Sequence, residues 1–120
     1  MEDTGGRVVK YTGDGLLALF ADPAAGVRAG LSLIRDLGEV GLSIRAGLHS
    51  GLVEVRSDDD VTGIAVNIAA RVQATAGPGE VRVSDTIRDL MLGSQYGFDD
   101  SGLHALKGLD GRRRLYTVNN

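Results

Sequence analysis

Four side chains in this sequence combine a reactive type with a suggestive spacing: Asp14 in Gly13-Asp14-Gly15, Lys10 four positions before it, and Asn67 with Arg71 four positions apart. A carboxylate at the tip of a tight turn is an oxygen donor of the kind hard divalent cations take, and a tip can push it toward a polyphosphate. The same Asp-Gly pair also makes a good type I′ turn with no further duty, so the hairpin alone leaves both readings open. Asn67 and Arg71 would project from one side of a helix. An amide and a guanidinium are odd cargo for the otherwise apolar Val66–Val72 run, although a polar pair on a helix surface would look the same. His49 and His104 have no ligand-spaced companions and read as structural or surface residues. There is no Walker-type Gly-rich phosphate loop and no Ser-His-Asp or Cys-His set. The absence of cysteine excludes disulfides and thiolate metal sites.

The elements that must position these residues follow from pattern. Arg7–Thr12 and Leu16–Phe20 are strand-like runs joined by the Asp-Gly turn. Asp22-Pro23 opens a helix whose Ala24, Val27, Leu31, Ile34 and Leu37 share one face, with Gly38 as its stop. Leu42–Leu48 alternates as a strand, with Leu42, Ile44 and Ala46 on one face, and Leu52–Arg56 is a second strand leading into the acidic turn Ser57-Asp58-Asp59-Asp60. Ile64–Ala76 reads as a helix with Ile64, Ile68 and Val72 on its apolar stripe, ended by Gly77-Pro78-Gly79. A short strand at Glu80–Val83, a brief helix capped by Ser84, a strand near Tyr96–Asp99, a loop through Lys107-Gly108 and a last strand at Arg113–Val118 complete the chain. Strands interleaved with two longer helices indicate an α+β sandwich, one largely antiparallel sheet with helices on one face. Pattern alone leaves several α+β folds open.

Composition narrows the function classes. At 120 residues the chain is one domain, able to bury roughly two thirds of its unfolded surface. Aromatics are only 4%, so Val, Leu, Ile and Ala must build the core. The net charge of −3 argues against a general nucleic-acid binder, and the one basic cluster, Arg112-Arg113-Arg114, reads as a charged outer strand. A ferredoxin-like RNA binder would want stacking aromatics and a basic sheet, which this acidic chain does not offer. No apolar run is long enough for a membrane span and the first residues are not a signal peptide, so a soluble cytoplasmic domain without membrane insertion is expected.

The Gly-Asp hairpin at residues 7–20, taken with Asp60-Val61-Thr62-Gly63-Ile64-Ala65-Val66-Asn67-Ile68-Ala69-Ala70-Arg71, resembles the class III nucleotidyl cyclase catalytic domain, of bacterial type. The resemblance runs from about Arg7 to Val118 and implies the ferredoxin-like sandwich of that family. It implies formation of 3′,5′-cyclic AMP and pyrophosphate from ATP, with the ribose 3′-hydroxyl attacking the α-phosphate. Asp14 would be one of two carboxylates holding a pair of Mg²⁺ or Mn²⁺ ions, which activate the hydroxyl and neutralise phosphate charge. Its partner in the family lies on a first strand of the type Phe-x-Asp-Ile-x-x-Phe-Thr, and nothing before Arg7 matches it. The domain is therefore expected to be N-terminally truncated, one incomplete catalytic domain over residues 1–120.

Lys10 and Asp60 match the family positions that read the adenine edge. A lysine donor facing N1 and a carboxylate acceptor facing the 6-amino group suit adenine and mismatch guanine, at about 1–3 kcal/mol for each polar group left unpaired. Asn67 and Arg71 match the residues that orient the ribose and stabilise the transition state. Lys107, in Leu106-Lys107-Gly108, matches the lysine that binds the terminal phosphates, and Arg56 aligns only loosely with a phosphate contact. In the family the two halves of a site come from two protomers, so a head-to-tail homodimer is expected, with altered association or strand exchange where sheet edges are exposed. The alternative is a catalytically impaired module that binds nucleotide or a partner without turnover.

Overall fold

The computed structural model describes residues 6–12 and 15–119. Its first element is the expected hairpin: β1 (Gly6–Thr12) pairs antiparallel with β2 (Gly15–Phe20), while Gly13 and Asp14 at the tip lie outside the described residues. A bulge at Val9 interrupts the register, which passes from Val8↔Ala18 to Lys10↔Leu17.

Helix α1 (Pro23–Glu39) begins as its sequence dictates, Asp22 accepting the Ala25 N–H at 2.8 Å with Pro23 in the first turn. It does not stop at Gly38, which is helical. The last turn is closed by Gly41 at φ +83°, with Gly41 N–H donating to Gly38 O and Leu42 N–H to Leu37 O. This pair of hydrogen bonds needs a left-handed residue after the cap, and Gly41 adopts it without a Cβ clash. Recruiting Leu42 into the cap also shortens the next strand. β3 is Ala46–Leu48 rather than Leu42–Leu48, and Leu42 is exposed.

Beyond β3 come β4 (Glu54–Val55) and β5 (Val61–Thr62), a two-rung antiparallel ladder around the acidic turn. Helix α2 (Ile64–Thr75), β6 (Val81–Ser84), α3 (Asp85–Leu90), β7 (Gly97–Ala105) and β8 (Arg112–Asn119) follow. Ser84 caps α3, its hydroxyl accepting the Ile87 N–H. On α2 the buried stripe is Ala65, Ile68 and Val72, and Ile64 faces outward.

The main sheet has the order β3-β6-β8-β7, with β3 parallel to β6 and the other pairs antiparallel. Its two faces are covered by different helices, not by helices on one face. Val81 and Val83 of β6 pack with Val27 of α1 and Ile87 of α3, joined by Ala46, Leu48 and Tyr116. On the other face Leu115 of β8 packs with Ile68 and Val72 of α2 and with Leu106. Strand alternation explains the split, since successive side chains point to opposite faces.

The hairpin does not hydrogen-bond to this sheet among the described residues. An apolar cleft of about 1050 Å³ lies between them, lined among others by Leu17, Leu19, Leu48 and Ala69. Helix α1 spans the two parts: a Cβ on Gly26 would touch both Phe20 of β2 and Leu48 of β3. The described strands are therefore distributed over the hairpin, the main sheet and the β4–β5 ladder.

Gly47 on β3 makes a close approach to helix backbone. A Cβ there would collide with the backbone nitrogen and Cα of Gln73 on α2. Gly47→Ala is expected to cost about 1–3 kcal/mol in urea unfolding, because a helix backbone cannot rotate away as a side chain can. Gly38→Ala, where no atom lies within 4 Å of the added methyl, should instead stabilise by about 0.5–1 kcal/mol. Equal effects at the two positions would contradict the packing.

Candidate functional site

Lys10 and Asp60 meet. Lys10 Nζ stands 3.0 Å from Asp60 Oδ1 and 3.3 Å from Oδ2, linking the β1–β2 hairpin to the β4–β5 turn. The Val9 bulge sits immediately before the lysine, and a bulge is a way to re-aim the side chain beside it. On the other partner, Asp60 Oδ1 accepts the Val61 N–H at 2.9 Å and the Asp60 N–H donates to Asp58 Oδ1 at 3.1 Å. Neither member is buried: their side chains keep 46% and 31% of their accessible surface, so a ligand can reach them.

The hydrogen bond from Lys10 is the main reason that the Asp60 carboxyl lies below the ordinary aspartate value. The Val61 amide acts next in the same direction, desolvation opposes it, and the Lys10 and Arg56 charges add to the lowering. A carboxyl depressed on folding stabilises the folded state above its unfolded pKa and loses that contribution as pH falls through the folded one. The pair therefore persists across neutral pH and opens only in acid, below the ordinary carboxylate range.

Asn67 and Arg71 lie on the exposed side of α2, opposite its buried stripe. Among the described residues neither side chain makes a hydrogen bond or an ion pair. Gly63, at φ +129°, turns the chain directly from β5 into α2, and a Cβ there would crowd Leu52 O at 3.3 Å. Only Val61, Thr62 and Gly63 separate Asp60 from the start of the helix that carries Asn67 and Arg71. Lys107 is exposed in the turn between β7 and β8, after buried Leu106 and before Gly108 at φ +87°. It too forms no ion pair among the described residues.

Asp14 lies outside the described residues. Among those described, no group of three or more His, Asp or Glu side chains is placed to hold a metal ion.

The remaining candidates have internal partners. His49 Nδ1 is 2.7 Å from the Ser84 hydroxyl, and burial, then Arg113, push the imidazole below its ordinary value while Asp85 opposes them. His104 Nε2 is 2.8 Å from Ser101 O. Arg113 donates to Asp85 at 2.8 Å and Arg114 to both oxygens of Asp100, so these two arginines of the basic run are engaged in intramolecular pairs. No helix among the described residues is long and apolar enough to cross a membrane. The contact that the sequence did not disclose is Asp58 on Asp60. Its only trace there is an aspartate two positions ahead of another, a spacing that suits a side-chain-closed turn.

Lys10→Met is expected to move the Asp60 carboxyl pKa upward in a carbon-detected NMR titration, because the ammonium donor is lost. An unchanged value would mean that the two groups do not meet.

The chain is similar to known proteins in both sequence and fold. Residues 24–120 match the family model of the adenylate and guanylate cyclase catalytic domain. A putative adenylate cyclase 3 of Rhizobium meliloti is 36% identical over 93% of this chain, which spans 20% of that protein. A pH-sensitive adenylate cyclase of Mycobacterium tuberculosis is 33% identical over 92% of the chain, which spans 29% of its length. The crystal structure of an adenylate/guanylate cyclase/hydrolase from Silicibacter pomeroyi superposes with a TM-score of 0.85 at 30% identity, covering 99% of this chain and 75% of that one.

Proposed function

The chain belongs to the adenylate and guanylate cyclase catalytic domain family, and we propose that its reaction is the conversion of ATP to 3′,5′-cyclic AMP and pyrophosphate. The observation that carries the adenine preference is the 3.0 Å contact between Lys10 and Asp60. It joins two residues far apart in sequence whose donor and acceptor complement the adenine edge. Guanine exchanges donor and acceptor along that edge and would give neither group a base partner, and each base polar group left unpaired costs about 1–3 kcal/mol where water is excluded. Lys107 binds the terminal phosphates from its turn. Asn67 orients the ribose, and Arg71 stabilises charge developing at the α-phosphate.

Divalent cations, Mg²⁺ or Mn²⁺, would lower the pKa of the attacking hydroxyl and screen the triphosphate when bound. The candidate ligand in this chain is Asp14. The described residues offer no cluster that fits the ions. What their side chains supply is binding, orientation and charge stabilisation.

The exposed Asn67/Arg71 stripe on α2, without partners among the described residues, supports a site completed across a protomer interface. We place Asp14 of one protomer against the base-reading pair and the Asn67/Arg71 pair of the next, in a head-to-tail homodimer with two equivalent sites.

Arg71→Ala should lower kcat about 10²–10³-fold with Mn²⁺-ATP, since a fixed donor aimed at developing charge is worth about that much. Cyclic AMP formation should rise more steeply than linearly with protein concentration. Asp14→Ala and Arg71→Ala proteins, each inactive alone, should on mixing regain about a quarter of wild-type activity, because each mixed dimer keeps one intact site. Linear concentration dependence with no recovery on mixing would overturn the shared site. Tight ATP binding without any turnover would instead support the non-catalytic binding module.

A further inference from the structure

The β4–β5 ladder has only two rungs, Glu54↔Thr62 and Val55↔Val61, too few to hold a tip rigidly by themselves. The turn between them nonetheless carries Asp60. Two backbone bonds close it, Arg56 N–H to Asp60 O at 2.7 Å and Asp59 N–H to Arg56 O at 2.9 Å. Asp59 sits at φ +66°, the one non-glycine residue with positive φ among the described residues. Aspartate is one of the few non-glycine residues that take this conformation readily, so it suits a tight turn. One side chain of the turn adds to that closure: Asp58 Oδ1 accepts the Asp60 N–H.

We infer that Asp58 is a positioning residue for base recognition, its carboxylate closing the turn so that the Asp60 carboxylate is presented to Lys10 and to the purine. Asp58 itself touches no substrate in this arrangement. The inference rests on the reading of Lys10 and Asp60 as the base-recognition pair. It accounts for an otherwise unfavourable feature, three successive carboxylates in an exposed turn. Charge alone would disfavour Asp58 beside Asp60, whereas the acceptor oxygen two residues ahead of the amide favours it.

The charged groups around Asp60 are Lys10, Arg56, Asp58 and Asp59, and charge and geometry give opposite signs at its carboxyl. Removing the Asp58 charge alone would lower the Asp60 pKa further, because a like charge nearby raises it. Loosening the turn weakens the Lys10 hydrogen bond and raises the pKa.

The experiment compares Asp58→Ala, Asp58→Asn and Asp60→Ala by carbon-detected NMR titration, by ATP and GTP binding, and by steady-state turnover with Mn²⁺. Asp58→Ala should raise the Asp60 pKa, raise the KM and Kd for ATP about five- to tenfold with kcat within about twofold, and narrow the ATP-over-GTP preference by a similar factor. Asp58→Asn keeps an acceptor oxygen and should restore affinity and preference. A lowered or unmoved Asp60 pKa in Asp58→Ala, or an Asn variant that fails to rescue while folded, would overturn the inference. If Asp60→Ala narrows the preference and Asp58→Ala does not, the positioning role alone fails. If Asp60→Ala leaves the preference intact, the base-recognition reading fails with it. Thermal unfolding of each variant separates these effects from loss of fold.

Discussion

The close approach of α2 to β3 at Gly47 is the constraint on which the rest of the site depends. With no Cβ in the way, the Gln73 backbone rests against the strand, and Ile68 and Val72 reach Leu115 and Leu106 on the same face of the sheet. That seating fixes which side of α2 is left outward, and Asn67 and Arg71 are on it. It also fixes where the chain must enter the helix, through Gly63 from β5, so the acidic turn bearing Asp60 cannot wander far from the sheet. One missing methyl thus bears on the placement of Asp60 and of the Asn67/Arg71 pair.

The Lys10–Asp60 contact works differently. Both groups keep much of their exposure, and ion pairs in such surroundings contribute little to folding. The pair is therefore a weak staple between two hairpins, and the proposed function gives it a recognition role instead. The ammonium and a backbone amide both favour the charged form of its carboxyl and hold it below the ordinary aspartate value. In the proposed reading, the acceptor and the donor beside it would complement an adenine edge. The short ladder, the bulge at Val9 and the Asp58 contact are local devices that aim these two groups.

The residues read from the sequence as structural or as a charged strand are tied to neighbours: His49 to Ser84, Arg113 to Asp85, Arg114 to Asp100. The candidate chemistry is left to groups without such partners among the described residues, Asn67, Arg71 and Lys107. Of these, Asn67 and Arg71 share the exposed side of α2, the feature on which the proposed two-protomer site rests.

Much of this was determined by the sequence alone. The Asp-Gly hairpin, the Asp22-Pro23 start of α1, the Ser84 cap and the helical spacing of Asn67 and Arg71 are local signals, set by turn chemistry, capping and periodicity within a few residues. The family motif around residues 60–71 is likewise a local string. Tertiary structure decided what depends on distant neighbours. Gly38 is a good stop by composition, yet the helix runs on until Gly41 finds the left-handed cap. Ile64 fits an apolar stripe by spacing, but Ala65 is the residue turned inward once α2 lies on β3 and β8. The helices cover opposite faces because β6 offers valines to one side and the other side is filled by Leu115, a partition visible only when the strands are paired. The meeting of Lys10 with Asp60 belongs to the same class: two hairpins brought together by packing, which no periodicity along the chain encodes.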